Sequence, residues 1–378
     1  MLEQISPLSQ YFSRIADNRK AKGLRHPLGA ILNLCSVALM AGAKTPKGVV
    51  KYWQNRQGQV GFLRRLGFTK PYGPSQSTMY KVLSEVTVEE LEAAISAWLQ
   101  ENFMMEASSA PTKLEGMAID GKKLKGSGNQ GADVSHLLSV LSHRLGVIVA
   151  QIAVPDHTNE IGAMADLLLD LVIAGRVFTM DALHTQVQTA QTIVDRGGDY
   201  VMLVKKNQPL LYEALEILFE QPGAEPFIDD QVSTFDAAHG RLEHRALYTS
   251  LTLTDFVDWP GLQQVFRIDR YTTLQKSGKV RSQTAYGISS LAPDQANAAA
   301  LLNLVRQHWH IENRAHYVRD VTFGEDASQV CRGSLPQTMA ALRNCAINLI
   351  RLHHFRFVPD AFDYFSFHYS DALEAIGC

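Results

Sequence analysis

The chain has few cysteines, no long apolar run and almost no net charge. Its cysteines are Cys35, Cys331, Cys345 and Cys378. None forms a C-x-x-C pair, so neither a zinc knuckle nor a disulfide framework is predicted. The longest apolar stretch, residues 28–43, contains Asn33 and falls short of the roughly 20 residues that a membrane span needs. We therefore expect reduced cysteines, a buried helix over residues 28–43 and a cytoplasmic protein.

The net charge of −2 hides a strong asymmetry along the chain. The first eighty residues carry twelve Lys and Arg against two acidic residues, a local excess of ten positive charges. Such asymmetry is typical of a chain that binds a polyanion, most often nucleic acid. A solvated surface balanced by the acidic stretch 85–115 would give the same count. Hydrophobic content of 46% with 20% charged residues excludes a disordered chain.

Residues 1–110 are predicted to form a helical, basic, DNA-binding domain. Apolar residues recur at helical spacing in residues 28–39 and 91–99. Between them, residues 70–78 form a turn rich in Pro, Gly and Ser that ends in a helix N-cap signal. A helix after such a turn in a basic segment is compatible with a helix-turn-helix that reads DNA, although many helical hairpins share this pattern.

From residue 111 the pattern changes to alternating strands and helices. Apolar runs predict a hairpin over 135–141 and 146–154, strands over 176–180 and 200–204, and helices over 161–171, over 184–196 and from Pro209. This mixed α/β order matches an RNase H-like catalytic core whose first part is residues 111–221. Residues 222–290 read as a β-rich insertion, and residues 291–378 as the helical completion of the core.

Three acidic residues have the local contexts that a metal site needs. Asp120 and Asp181 each close an apolar strand, and Glu312 lies in an amphipathic helix whose His308, His316 and Arg319 share its face. Carboxylate oxygens suit Mg²⁺, and Mn²⁺ can replace it. Two such ions about 4 Å apart can clamp the oxygens of a phosphodiester. We therefore predict that the three acids converge as catalytic and metal-binding residues. A solvated helix with a His–Glu pair is the alternative for Glu312, and Trp309 and Tyr317 argue against it.

Basic residues accompany the acids, as an enzyme that acts on a phosphate backbone requires. The predicted DNA contacts are Arg25, Arg64, Arg65, Lys122, Lys123, Lys125, Lys205, Lys206, Asn207, Arg241, Arg306, His308, Trp309 and Arg319. Trp309 could stack on an unpaired base, and packing behind Glu312 is an equal alternative.

The chain resembles the ISAs-type insertion-sequence transposases, which are DDE enzymes and include the H-repeat-associated proteins. The similar segments are 118–122, 159–161, 179–182 with Gln186, 198–209, and 308–313 with 320–326, together with 26–28 and the turn at 73–75. No single segment is specific, but the combination is.

The resemblance implies DNA cleavage and strand transfer at element ends, with Asp120, Asp181 and Glu312 as the metal-binding triad. The wider group's Tyr-(2)-Arg-(3)-Glu-(6)-Lys signature is only partly kept. Val305, His308 and Arg319 stand at its tyrosine, arginine and lysine positions, which leaves Arg306 and His308 as candidates for the phosphate-binding arginine role. The expected partner is double-stranded DNA, as terminal inverted repeats and target, bound by a homodimer that holds two element ends. A domesticated or inactive relative that only binds DNA, and a nuclease without strand transfer, are the alternatives.

Overall fold

The computed structural model describes residues 6–20, 24–59, 61–104, 115–127, 135–155, 157–220, 227–238 and 240–378. The predicted domain boundaries at 110/111 and 221/222 lie outside these ranges. The helices and strands follow in chain order: α1 Leu8–Phe12, α2 Leu28–Met40, α3 Pro46–Gln54, α4 Phe62–Arg65, α5 Gln76–Leu83, α6 Val88–Leu99, β1 Glu115–Lys123, β2 His136–Ser142, β3 Ile148–Val154, α7 Glu160–Leu169, β4 Arg176–Met180, α8 Val187–Asp195, β5 Asp199–Val204, α9 Pro209–Glu220, β6 Asp230–Ala238, β7 Arg241–Ser250, β8 Gln264–Leu274, β9 Val280–Ser289, α10 Ala298–His308, α11 Leu335–Leu352, α12 Val358–Phe367 and α13 Tyr369–Ala375.

The chain divides into two compact units. The first unit comprises Met1–Pro111, Gly121–Ala163 and His310–Cys378, and the second comprises Thr112–Asp120 and Met164–Trp309. The boundary between Asp120 and Gly121 therefore falls inside β1.

The first unit is built around two buried helices, α2 and α11, which pack against each other. Every residue of α2 except Gly29 is buried, as its mainly apolar sequence predicts. Ser75 caps α5 by accepting a hydrogen bond from the backbone N–H of Thr78, which confirms the predicted turn and N-cap. The hairpin β2–β3 is antiparallel and packs against α6 and α11.

The second unit contains a large mixed sheet. Its strand order is β1-β4-β5-β9-β8-β7-β6, with β1, β4 and β5 parallel and the remaining neighbours antiparallel. Helix α10 begins after Asn297, whose side chain accepts from the N–H of Ala300, and buries its apolar face in a core with β4, β5, β7 and β8. The short, mainly apolar strands β4 and β5 are largely buried on both faces, which is typical of parallel strands covered by helices.

Most predicted elements are present within a residue or two of their expected bounds. The insertion also contains β6, which no sequence pattern indicated because its residues are polar and largely exposed. Cys35, Cys331, Cys345 and Cys378 are all free, as expected. Among the described residues, no helix combines the length and the apolar character that crossing a membrane requires.

Candidate active site

Two of the predicted acids lie on neighbouring parallel strands. Ile119 of β1 is the register partner of Met180 of β4, so Asp120 and Asp181 are the next residues on adjacent strands. Asp181 follows the last residue of β4, as predicted. Asp120 does not close its strand, because β1 continues to Lys123. The carboxyl ends of adjacent parallel strands lie at the same end of a sheet, so the side chains at these ends are brought together there.

The carboxylate of Asp181 also shapes the chain that follows it. Its Oδ1 accepts a hydrogen bond from the backbone N–H of Leu183 at 3.0 Å and caps the short 3₁₀ turn Ala182–His184. Asn207 adds a second contact to this turn by donating its side-chain amide to the carbonyl oxygen of Ala182 at 2.6 Å. Asn207 therefore stabilises the loop after Asp181, in addition to its predicted DNA contact.

Glu312 does not lie in a regular amphipathic helix, and this part of the prediction is wrong. Helix α10 ends at His308, and the chain continues in two π-helical turns, Glu312–His316 and Val318–Thr322. A π turn places one extra residue in each turn, so the spacing of 3.6 residues no longer decides which side chains share a face. Trp309 and Tyr317 are 49% and 55% exposed, so they do not argue for a buried helix.

Within the first π turn, Glu312 pairs with His316. The Nδ1 of His316 lies 3.2 Å from Oε2 of Glu312; the imidazole is buried, whereas the carboxylate is half exposed. The pKa of Glu312 lies below its usual value, first because of this hydrogen bond and further because of the charges of His316 and Lys122, which outweigh the effect of burial. Glu312 is therefore ionised at neutral pH, as a metal ligand must be.

Asp120, Glu312 and His316 form a group that could hold a metal ion. Each offers one ligand atom, and these atoms all lie within 4.8 Å of one another. Asp120 is half-buried, Glu312 exposed and His316 buried. Asp181 is not a member of this group, which was drawn from the described residues only. His316 was predicted to share the face of Glu312 but was not predicted to be a site residue.

The lysines after Asp120 differ in their surroundings. Lys122 is buried and pairs with Asp320 at 2.5 Å, whereas Lys125 is exposed and pairs with Asp326 at 2.7 Å. Lys123 is exposed. Lys122 thus ties β1 to the second π turn, which is a structural role that the sequence did not reveal.

The remaining predicted DNA contacts fall into an exposed and a buried set. The exposed residues are Arg25, Arg64, Arg65, Lys205, Lys206, Asn207, Arg241, Arg306 and Trp309. Arg306 pairs with Asp236 at 2.9 Å. His308 is buried, and its Nδ1 lies 3.2 Å from the hydroxyl of Thr179. For His308 the structure therefore corrects the prediction of a phosphate contact and indicates packing behind β4.

Arg319 is the clearest correction among the predicted DNA contacts. Its side chain is 1% exposed and forms an ion pair with Glu325 at 2.7 Å. Its Nη1 also donates to the side-chain oxygen of Gln151 at 2.8 Å. A guanidinium held in this way cannot reach a phosphate, so Arg319 anchors the second π turn to the interior of the first unit.

Sequence reasoning did not include Glu160 among the site residues. The carboxylate of Glu160 lies beside Gly121, directly after Asp120, and a Cβ atom added to Gly121 would be only 2.3 Å from it. The Nδ1 of His136 lies 3.5 Å from the same carboxylate. A glycine after a strand aspartate was the available signal, because glycine permits this close approach.

Comparison with known proteins identifies the family. The family described as "Transposase DDE domain" matches residues 111–349, and the one described as "DDE_Tnp_1-associated" matches residues 9–99. The chain belongs to the DDE transposase family. This confirms the predicted resemblance.

Two Escherichia coli proteins are similar to this DDE transposase family member over most of its length. YncI of Escherichia coli O157:H7, named as a candidate transposase, is 30% identical over 356 residues, which cover 92% of this chain and 88% of YncI. YhhI of Escherichia coli strain K12, named as an H repeat-associated candidate transposase, is 27% identical over 355 residues, covering 92% of this chain and 91% of YhhI. Among solved structures, the piggyBac transposase in a synaptic complex with hairpin DNA aligns over 98% of this chain and 77% of that chain at 10% identity. Its TM-score of 0.42 is too low to identify the fold.

Proposed function

We propose that this protein is a DNA transposase that cleaves the ends of an insertion sequence and joins them to target DNA. The DDE family membership supports the reaction class. The observation that carries the proposal for this chain is the group formed by Asp120, Glu312 and His316. We further propose that β1 and β4 belong to an RNase H-like core, because Asp120 lies on the first strand and Asp181 directly follows the fourth, in the predicted order.

The donor set of this group fits a hard divalent cation. Two carboxylates suit Mg²⁺ or Mn²⁺, whereas imidazole is a typical ligand of later transition metals. We therefore assign Asp120, Asp181 and Glu312 as the ligands and His316 as the hydrogen-bond partner that orients Glu312. When bound there, divalent cations lower the pKa of water and stabilise the charge that develops on the oxygens of a phosphodiester.

The chain's own residues would position the DNA and the carboxylates. The cap on the turn Ala182–His184 holds Asp181 at the end of β4. The pair Lys122–Asp320 fixes the second π turn to β1 at the second residue after Asp120. We propose exposed Lys123, which ends β1, and exposed Lys205 and Lys206, which follow β5, as phosphate contacts. We propose double-stranded DNA as the partner and a homodimer as the assembly that holds two element ends.

Cleavage of a labelled element end tests this proposal. Purified protein with Mg²⁺ or Mn²⁺ is expected to give nicked products and then products joined to target DNA. Asp181→Ala is expected to bind the same DNA and to leave it uncut. The inverted repeats that flank the gene would supply the substrate. Hydrolysis without joining would favour a nuclease, and wild-type binding without any cutting under either metal would favour a DNA-binding relative and refute the proposal.

A further inference from the structure

A cleft of about 1010 Å³ in the first unit borders the π turn that carries Glu312. Four cationic side chains line it: Lys44, Arg314, Arg351 and Arg356. Asp360 is the only acidic residue among the described residues that line it. Typical small-molecule sites enclose roughly 300–1,000 Å³, so this cleft is large enough for an extended ligand. Its excess of positive charge favours an anionic one.

Arg314 gives the strongest argument for an anionic ligand in this cleft. Its guanidinium is partly buried, yet among the described residues it forms no ion pair and no side-chain hydrogen bond. Arg351 donates to the backbone carbonyl oxygens of Phe355 and Arg356, and its pKa is lowered by burial and then by the charge of Arg314. Two neighbouring guanidinium groups that repel each other without a carboxylate between them are stabilised when an anion binds.

Exposed aromatic rings lie among these cations. Tyr317 is 55% exposed and Phe357 is 56% exposed, and both line the cleft. The guanidinium carbon of Arg356 lies 5.1 Å from the centre of the Phe357 ring.

A groove that combines positive charge with exposed rings is the arrangement by which proteins bind single-stranded nucleic acid. We propose that this cleft binds one unpaired strand of DNA, with Lys44, Arg314 and Arg356 contacting phosphates and Tyr317 and Phe357 contacting bases. Arg314 belongs to the same π turn as Glu312, and it lines the cleft whereas Glu312 does not. The proposal rests on the proposed function, for which it names a binding site for one strand of the DNA.

Metal-free binding separates this proposal from cleavage. The affinity of wild-type protein for a labelled single-stranded oligonucleotide is measured by fluorescence anisotropy in EDTA over a range of salt concentrations. The double variant Arg314→Gln/Arg356→Gln removes two phosphate contacts and is expected to lower the slope of log affinity against log salt by about 1.4, since each contact contributes about 0.7 for single strands. Tyr317→Ala is expected to weaken binding at least about fivefold, as the loss of a stacked base does.

Controls make the result decisive. Arg281→Gln removes an exposed arginine of β9, outside the cleft. It is expected to change the salt slope and the affinity for the oligonucleotide only by the small effect of losing one charge from the whole protein. Lys44→Gln/Arg356→Gln removes two exposed cations without touching the partly buried Arg314, so it provides the same test if the first double variant fails to fold. The proposal would be overturned if a folded double variant kept the wild-type salt slope, or if it lost no more affinity for the oligonucleotide than Arg281→Gln does. It would leave the cleavage assay with Asp181→Ala unaffected.

Discussion

The ion cluster of Arg319, Glu325 and Arg343 gives the sharpest stability prediction. Glu325 Oε2 lies 2.7 Å from Arg319, and its Oε1 lies 2.8 Å from Arg343. The three side chains are 1–5% exposed. Burial alone would raise the pKa of Glu325, but the charges of Arg319 and then Arg343 outweigh it and hold the pKa below its usual value. The cluster therefore contributes stability above the ordinary pKa of a glutamate and loses it as acid protonates Glu325.

Replacing Glu325 by glutamine keeps the shape of the side chain and removes the charge. Two buried guanidinium groups then face each other without a counter-ion. Removing one partner of a buried ion pair costs about 3–5 kcal/mol of unfolding free energy. For a folding unit of roughly 150–250 residues, each kcal/mol corresponds to about 2–4 °C, so we expect Glu325→Gln to lower the melting temperature by about 6–20 °C at pH 7.

The next residue, Asp326, provides a matched control for this change in melting temperature, which calorimetry measures. Asp326 pairs with Lys125 at a similar distance, 2.7 Å, but the lysine side chain is 71% exposed. An exposed pair contributes little to stability because water screens its charges, so Asp326→Asn is expected to shift the melting temperature by no more than about 4 °C. If Glu325→Gln melts within that range too, the reasoning from burial is refuted.

Three further predictions concern single positions. Gly121→Ala is expected to lower the free energy of unfolding by about 1 kcal/mol or less, because its Cβ would meet only the far end of the flexible Glu160 side chain, at 2.3 Å, which can turn aside. Glu160→Ala should abolish this loss in a double variant, and a much larger loss would contradict the contact. Burial raises the pKa of Glu92 to about 8, so the stability of the wild type should fall between pH 5 and 8, whereas that of Glu92→Gln should stay level. Above pH 8 the variant should be the more stable protein by about 1–3 kcal/mol. Parallel pH profiles of the two proteins would exclude this. Asn297→Ala removes the N-cap of α10 and should cost about 1 kcal/mol in urea unfolding, where no change in midpoint would show that the cap is dispensable.

Much of the fold could be predicted from the sequence because the decisive patterns were local. The buried runs of β4 and β5, the apolar helix α2 and the Ser75 cap are all read from neighbouring residues. Strand β6 was not predicted, because it lacks such a local pattern. Its side chains are mostly exposed, so its pairing with β7 leaves no alternation of apolar and polar residues to detect.

The candidate site was predicted less completely, because its details depend on distant contacts. The π turns after Trp309 change which side chains are buried, and no propensity distinguishes them from a continuous helix. Arg319 meets Gln151, which is 168 residues away in the sequence, so its burial could not be inferred from its own segment. Asp120 and Glu312 each offer a ligand atom to one group of side chains, and the assignment of these two acids and of Asp181 as metal ligands stays a prediction.

Anomalous diffraction from crystals soaked in Mn²⁺ would test the central claim most directly, because it locates the ion itself. We expect an anomalous peak within about 2.2 Å of carboxylate oxygens of Asp120 and Glu312, with Asp181 as a ligand of the same ion or of a second ion about 4 Å away. The peak should disappear in crystals of Asp120→Asn. Manganese bound elsewhere, with none at these carboxylates, would contradict the account.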